Sequence, residues 1–166
     1  MAYDGRAVAN FVLDHADQVG IKVTNLSLQK LVYFCHVWSL IELGQPLVKQ
    51  SFEAWEYGPV LQYLYREFKR FGGAPITDRA QQTNPFNGQR EVVRHTLDPI
   101  TEDLLKRVVG FYGRLHAGAL VSLTHAHGGP WHRVWHQSGR INPGMHIHDR
   151  EILRFYSHIP QPFRLQ

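Results

Sequence analysis

The sequence predicts a mainly α fold, a compact single-domain helical bundle of five or six helices with a minor short β element. Three observations lead there. Apolar residues recur at helical spacing in five or six separate segments, most of them bounded by capping residues, glycine or proline. One of those segments, around Leu28–Leu43, is apolar on nearly every side, which marks a central, buried helix. Only two stretches, 47–57 and 91–97, read as extended.

Taken in order, Asp4 is an N-cap ahead of a helix whose Ala7, Val8, Phe11, Val12 and His15 share a face, and Gly20 ends it. Ser27 reads as the cap of the second helix, with Gly44 just beyond its end and Pro46 after that. Residues 47–57 are expected to be extended, with Trp55 and Tyr57 on one largely aromatic face. Gly58-Pro59 is expected to stop the strand and open a third helix over 60–71, with Pro59 at its first position. Residues 73–90 read as loop and Glu91–Leu97 as a short strand. A helix begins at Asp98-Pro99 or Thr101 and carries Leu104, Leu105, Val108 and Val109 on one side. A further helix covers Ala117–His125, Gly128-Gly129-Pro130 breaks the chain before Trp131–His136, and a last helix spans Asp149–His158. The 166 residues suit a single domain over 1–166, long enough to bury a core without disulfides.

Composition excludes several classes. With 43% hydrophobic and 19% charged residues the chain is an ordinary globular sequence. No apolar run approaches the length of a membrane span, and the start of the chain has Asp4 where a signal peptide needs positive charge. With the lone Cys35, this makes a reducing cytoplasm the expected location, with no membrane partner. The net charge of +4 resides wholly in residues 84–166 and is carried almost entirely by arginine. Nine of the eleven histidines follow residue 94.

Chemical motifs are sparse. His132 and His136 are four apart and share a helical face, and His146 and His148 form a second pair. No third ligand at zinc spacing accompanies them, so no metal and no cofactor are expected. Cys35 and His36 are helical neighbours pointing about 100° apart, so they form no dyad. Phosphate-cradling glycine loops are missing. Two alternatives to a pure binding module are a nucleic-acid-binding regulator using the Arg-rich second half and a metal-dependent enzyme centred on the histidines. The regulator is disfavoured because no helix clusters several adjacent basic residues. The aromatic content of 12%, with Trp55, Tyr57, Trp131 and Trp135 at element ends, fits a protein–protein interface better.

The order Leu28-Gln29-Lys30-Leu31-Val32-Tyr33-Phe34, then Phe52-Glu53-Ala54-Trp55-Glu56-Tyr57-Gly58-Pro59-Val60, then Leu120-x-x-Leu123-Thr124-His125 and Pro130-Trp131, resembles the Panacea domain of SocA/GepA-type antitoxins. The likeness covers about residues 5–157. It implies an antitoxin, not an enzyme, that binds a cognate toxin protein directly and, in SocA-type members, delivers it to an AAA+ protease of the ClpXP kind. The motif positions here are Lys30, Tyr33, Glu53 and His125 as structural residues, and Trp55, Tyr57, Gly58, Pro59 and Trp131 as partner-binding ones. Physical reasoning adds three expectations: Lys30 pairs with Glu53, Pro59 presets a helix start, and His125 hydrogen-bonds across the Gly-Gly-Pro break.

Overall fold

The second helix organises the molecule. In the computed structural model, which describes residues 2–163, α1 spans Gly5–Gln18 and α2 spans Asn25–Trp38. Every α2 residue except Leu26 is buried, polar ones included. Thr24, not Ser27, is its N-cap. Ser27 is the third helical residue and returns a bond to the Thr24 backbone, closing a capping box. Both ends of that motif carry a hydroxyl, three residues apart, which is why the sequence pattern places the cap one turn too late. Beyond Trp38 the chain widens into one π-helical turn, Ser39–Leu43, ended by Gly44 in the left-handed region.

Around α2 pack α1, α3 (Gln62–Phe68), α4 (Pro99–Tyr112), α5 (Ala117–Thr124) and α7 (Asp149–Tyr156). The six-residue α6, Pro130–Trp135, raises the α-helix count to seven among the described residues, one or two above expectation. Asp4 and Asp98 cap α1 and α4 as the sequence predicts. One hydrophobic cluster runs through these elements, with Phe34 stacked on Tyr112 at 4.1 Å and the Trp38 indole donating to the Tyr112 hydroxyl at 2.9 Å. His36, 2% exposed, ties α2 to its surroundings. Its Nδ1 accepts from the Leu47 and Val48 amides, which leaves the proton on Nε2 to donate to Asp149 at the start of α7.

The β content lies in two small sheets. β1 (Phe52–Trp55) pairs antiparallel with β2 (Gly58–Val60) on one side and with β5 (His146–Ile147) on the other. This corrects the expected helix start: Pro59 is a strand residue opposite Ala54, and α3 begins three residues later. The backbone of Ala54 faces Gly144 and Met145, so Ala54 and Pro59 exchange no hydrogen bonds and the missing proline donor costs the ladder nothing. In the second sheet, β3 (Gln81–Thr83) falls within the segment read as loop, and its partner β4 (Arg90–Val92) starts the strand read over 91–97 one residue early and ends it at Val92. The base of this sheet is fixed by Asn10, 1% exposed, whose amide donates to Ala80 and Val93 carbonyls while its oxygen accepts from the Ala80 amide.

Candidate functional site

The β1–β2 hairpin lies on the most polar stretch of α2. Its outer strand would present bare backbone groups to the protein interior, and two α2 side chains satisfy them. Lys30 Nζ donates to the Pro59 carbonyl at 3.0 Å, and Gln29 Oε1 accepts from the Leu61 amide at 3.1 Å. Gln29 is held in turn by Asn25, one helical turn earlier, whose own amide donates to the Tyr65 carbonyl in α3. The Leu-Gln-Lys-Leu run thus does two jobs: the leucines fill the core and the polar pair closes a strand edge. Sequence reasoning misses Gln29. Adjacent polar residues on an otherwise apolar helix are the signal that could find it.

Lys30 is fully buried, and among the described residues no carboxylate lies within ion-pair distance. The expected pair with Glu53 does not form, because Glu53 Oε1 accepts from the Trp55 indole at 2.9 Å on the outer face of β1. Burial alone pulls the Lys30 ammonium down to about 7. Tyr33, one turn of α2 away from Gln29, is buried with its ring edge-on to Phe52 at 5.3 Å, so it seats the inner face of β1.

Gly58 makes the close approach possible. It adopts φ +109°, and a Cβ there would stand 2.5 Å from Thr124 Oγ1 and 2.8 Å from Lys30 Cε. Gly58→Ala will therefore destabilise the fold by about 2–3 kcal/mol through backbone strain and overpacking. Chemical denaturation checks this, and an unchanged midpoint would show that the hairpin is not pressed onto α2 as described.

α6 anchors the other side. Trp131, 5% exposed, donates its indole N–H to the Trp55 carbonyl at 2.7 Å and stacks on Trp135 at 5.3 Å. His125, at the end of α5, lies flat on Trp131 at 3.7 Å, so its side chain reaches across the Gly-Gly-Pro break by ring stacking and not by the expected hydrogen bond, and it is the Gly128 amide that bonds across the break, to His132 Nδ1. Its Nε2 is buried without a hydrogen-bond partner of normal geometry, near the Glu56 backbone and Lys30. Burial first, and the Lys30 charge second, lower the His125 basicity.

The named residues therefore gather in one place but at different depths. Gly58, Pro59 and Trp131 are buried, Trp55 is half-buried against Tyr65, and Tyr57 at the turn is 59% exposed. The other sequence candidates separate from them. Arg107 is paired with Glu42 and Asp103, Arg133 with Glu151, and Arg154 with Glu151 and the Gly128 carbonyl. His132 lies 4.7 Å from His136 and 4.6 Å from His127, ring to ring. Yet among the described residues no group of three or more His, Cys, Asp or Glu is placed to hold a metal ion. Cys35 is fully buried, which pushes its thiol well above the ordinary range and leaves it unreactive. No helix among the described residues is long and apolar enough to cross a membrane.

A family model for the antitoxin SocA-like, Panacea domain matches residues 28–132, a span that takes in Lys30, the whole hairpin, His125 and Trp131. The chain belongs to the SocA-like Panacea family. Antitoxin SocA of Caulobacter vibrioides (strain NA1000 / CB15N) is 39% identical over 150 residues, covering 90% of this chain and 80% of that protein. No solved structure matches the chain. Within this Panacea domain, the family segment begins at the Leu28 that opens the polar pair and ends just past Trp131.

Proposed function

We propose that this chain is an antitoxin that neutralises a cognate protein toxin by binding it directly, with the β1–β2 turn in the contact surface. The observation that carries the reading is the contrast at that turn. Tyr57 is an exposed aromatic on a backbone whose neighbours are locked by Lys30, Thr124 and Trp131. A rigid aromatic loses little freedom on binding and supplies a large contact area, the character of an interface hot spot. Family membership supplies the toxin as the kind of partner.

In the finer part of this reading, the domain works in the cytoplasm as a binding module, not an enzyme, and passes the bound toxin to an AAA+ protease of the ClpXP kind. That step is what the resemblance of the sequence to SocA-type antitoxins implies. Co-expression with the protein encoded beside it is the test. Growth rescue together with co-purification is expected, with the toxin persisting longer in cells lacking the protease. Rescue without any complex would count against direct neutralisation. Rescue with a complex but an unchanged toxin lifetime would remove the adaptor step alone.

A further inference from the structure

The histidine-rich second half is not absorbed by the hairpin. The fold collects part of it along one groove of about 560 Å³ bounded by α6, the β5 strand with its flanks, and the first turn of α7. His132, Arg133 and His136 line one wall, and His146, His148 and Arg150 line the other. All but His132 are exposed. Glu151 is the one carboxylate on the lining, and it is already engaged by Arg133 at 3.0 Å and Arg154 at 3.4 Å. Asp149, also on α7, is turned to the buried His36. Glu53 of β1 pairs in register with His146, but its Oε1 takes the Trp55 indole.

The permanent charge of this groove is small, two arginines against one glutamate. His136, His146 and His148 are exposed imidazoles, and the fourth, His132, already accepts the Gly128 amide on Nδ1 at 3.2 Å. We propose that the groove is a docking site for an acidic peptide segment of a protein partner, and that its grip strengthens as the histidines are protonated. Charge complementarity carries the assignment. Neutral imidazoles already offer N–H donors to carboxylates, and each proton gained adds an ion pair. His132 shows the coupling that a bound anion would relieve: partial burial and the neighbouring His127 and His136 rings lower its basicity. A duplex is the poorer fit, because phosphate binding draws on many permanent cations and the fixed excess here is one charge. Met145, 41% exposed on the same lining, offers an apolar contact to a peptide side chain.

The experiment uses the full chain and a fluorescein-labelled octaglutamate peptide, with anisotropy read at low salt, in EDTA, at pH 7.5 and 6.0. Affinity is expected to rise about tenfold at the lower pH and to fall with added salt. The triple variant His136→Gln, His146→Gln, His148→Gln should lose most of that rise. It changes only exposed side chains, and the His148 side chain makes no cap bond to α7, so its melting temperature should match the parent's. Arg150→Gln should weaken binding at both pH values, and Arg114→Gln, on an exposed site between α4 and α5, should change neither. An equal rise in the triple variant, or an equal loss from Arg114→Gln, would mean diffuse net charge and overturn the proposal. So would a short DNA duplex that binds more tightly than the peptide and loses that binding in the triple variant. No toxin takes part, so failure here leaves the hairpin reading untouched.

Discussion

Trp131→Ala will cost about 3–5 kcal/mol of folding free energy, a melting-temperature fall of roughly 10 °C for a chain of this size. Three losses coincide at this residue. The indole is 5% exposed, so truncation leaves a cavity beneath the hairpin. Its N–H is the donor to the Trp55 carbonyl, which is then stranded in a partly buried place. It is also the surface on which both His125 and Trp135 stack, so the ring stacking across the Gly-Gly-Pro break goes with it. Thermal unfolding by circular dichroism reads the effect. A drop of only a degree or two would mean that α6 is peripheral and that the hairpin is held from α2 alone.

The second large effect is a pH dependence traced to one lysine. Lys30 in the folded chain has its pKa at about 7, against the ordinary 10.5 of an exposed lysine. Between these values the unfolded chain binds a proton that the folded chain does not, so stability must rise with pH across that window. Below pH 7 both states are protonated and the full cost of the buried ammonium is present. Above 10.5 both are neutral and the cost is gone. Lys30→Met removes the titrating group and its bond to the Pro59 carbonyl, and that bond's loss does not vary with pH. The stability of the parent minus that of Lys30→Met should therefore climb by about 2.5 kcal/mol from pH 7.5 to 9.5, close to one proton over two pH units. Taking the difference cancels the buried tyrosines, whose phenols are held protonated in the folded chain and which oppose the trend near pH 10. A flat difference would show that Lys30 keeps its charge inside the fold. A charged amine there would need a counter-ion, and none stands within ion-pair distance among the described residues.

The helices are legible in the sequence because their signals are local. Asp4 and Asp98 each cap the helix that starts beside them, and the all-round apolar Leu28–Leu43 run could be nothing but the central element. The hairpin is not, because its logic is distant in the chain. Gly58-Pro59 satisfies the rules for a helix start equally well. Only the pairing of Ala54 with Pro59, and a lysine 29 residues earlier reaching the proline carbonyl, make it a strand edge. β3 and β4 carry Gln, Thr, Arg and Glu in place of an apolar alternation, and what holds them comes from elements distant in the chain: the buried Asn10 at their base, Arg6 of α1 on the Gln81 carbonyl, and Glu67 of α3 on the Gln81 amide and Arg90. The same limit applies to the site. Its residue types are readable as a motif, but depth is not: the motif assigns Tyr57 and Trp131 the same role, and the fold puts one on the surface and the other in the core.

That separation is also the most direct route to the central claim, that the braced turn is where the toxin is held. Tyr57→Ala should be measured for toxin affinity by calorimetry alongside its melting temperature. An exposed side chain at a turn costs little when removed, so the melting temperature should stay within about 2 °C of the parent. A central aromatic anchor is worth about 2 kcal/mol or more, so affinity should fall by about thirtyfold or further. A Tyr57→Ala protein that melts with the parent and binds the toxin with parental affinity would contradict the account.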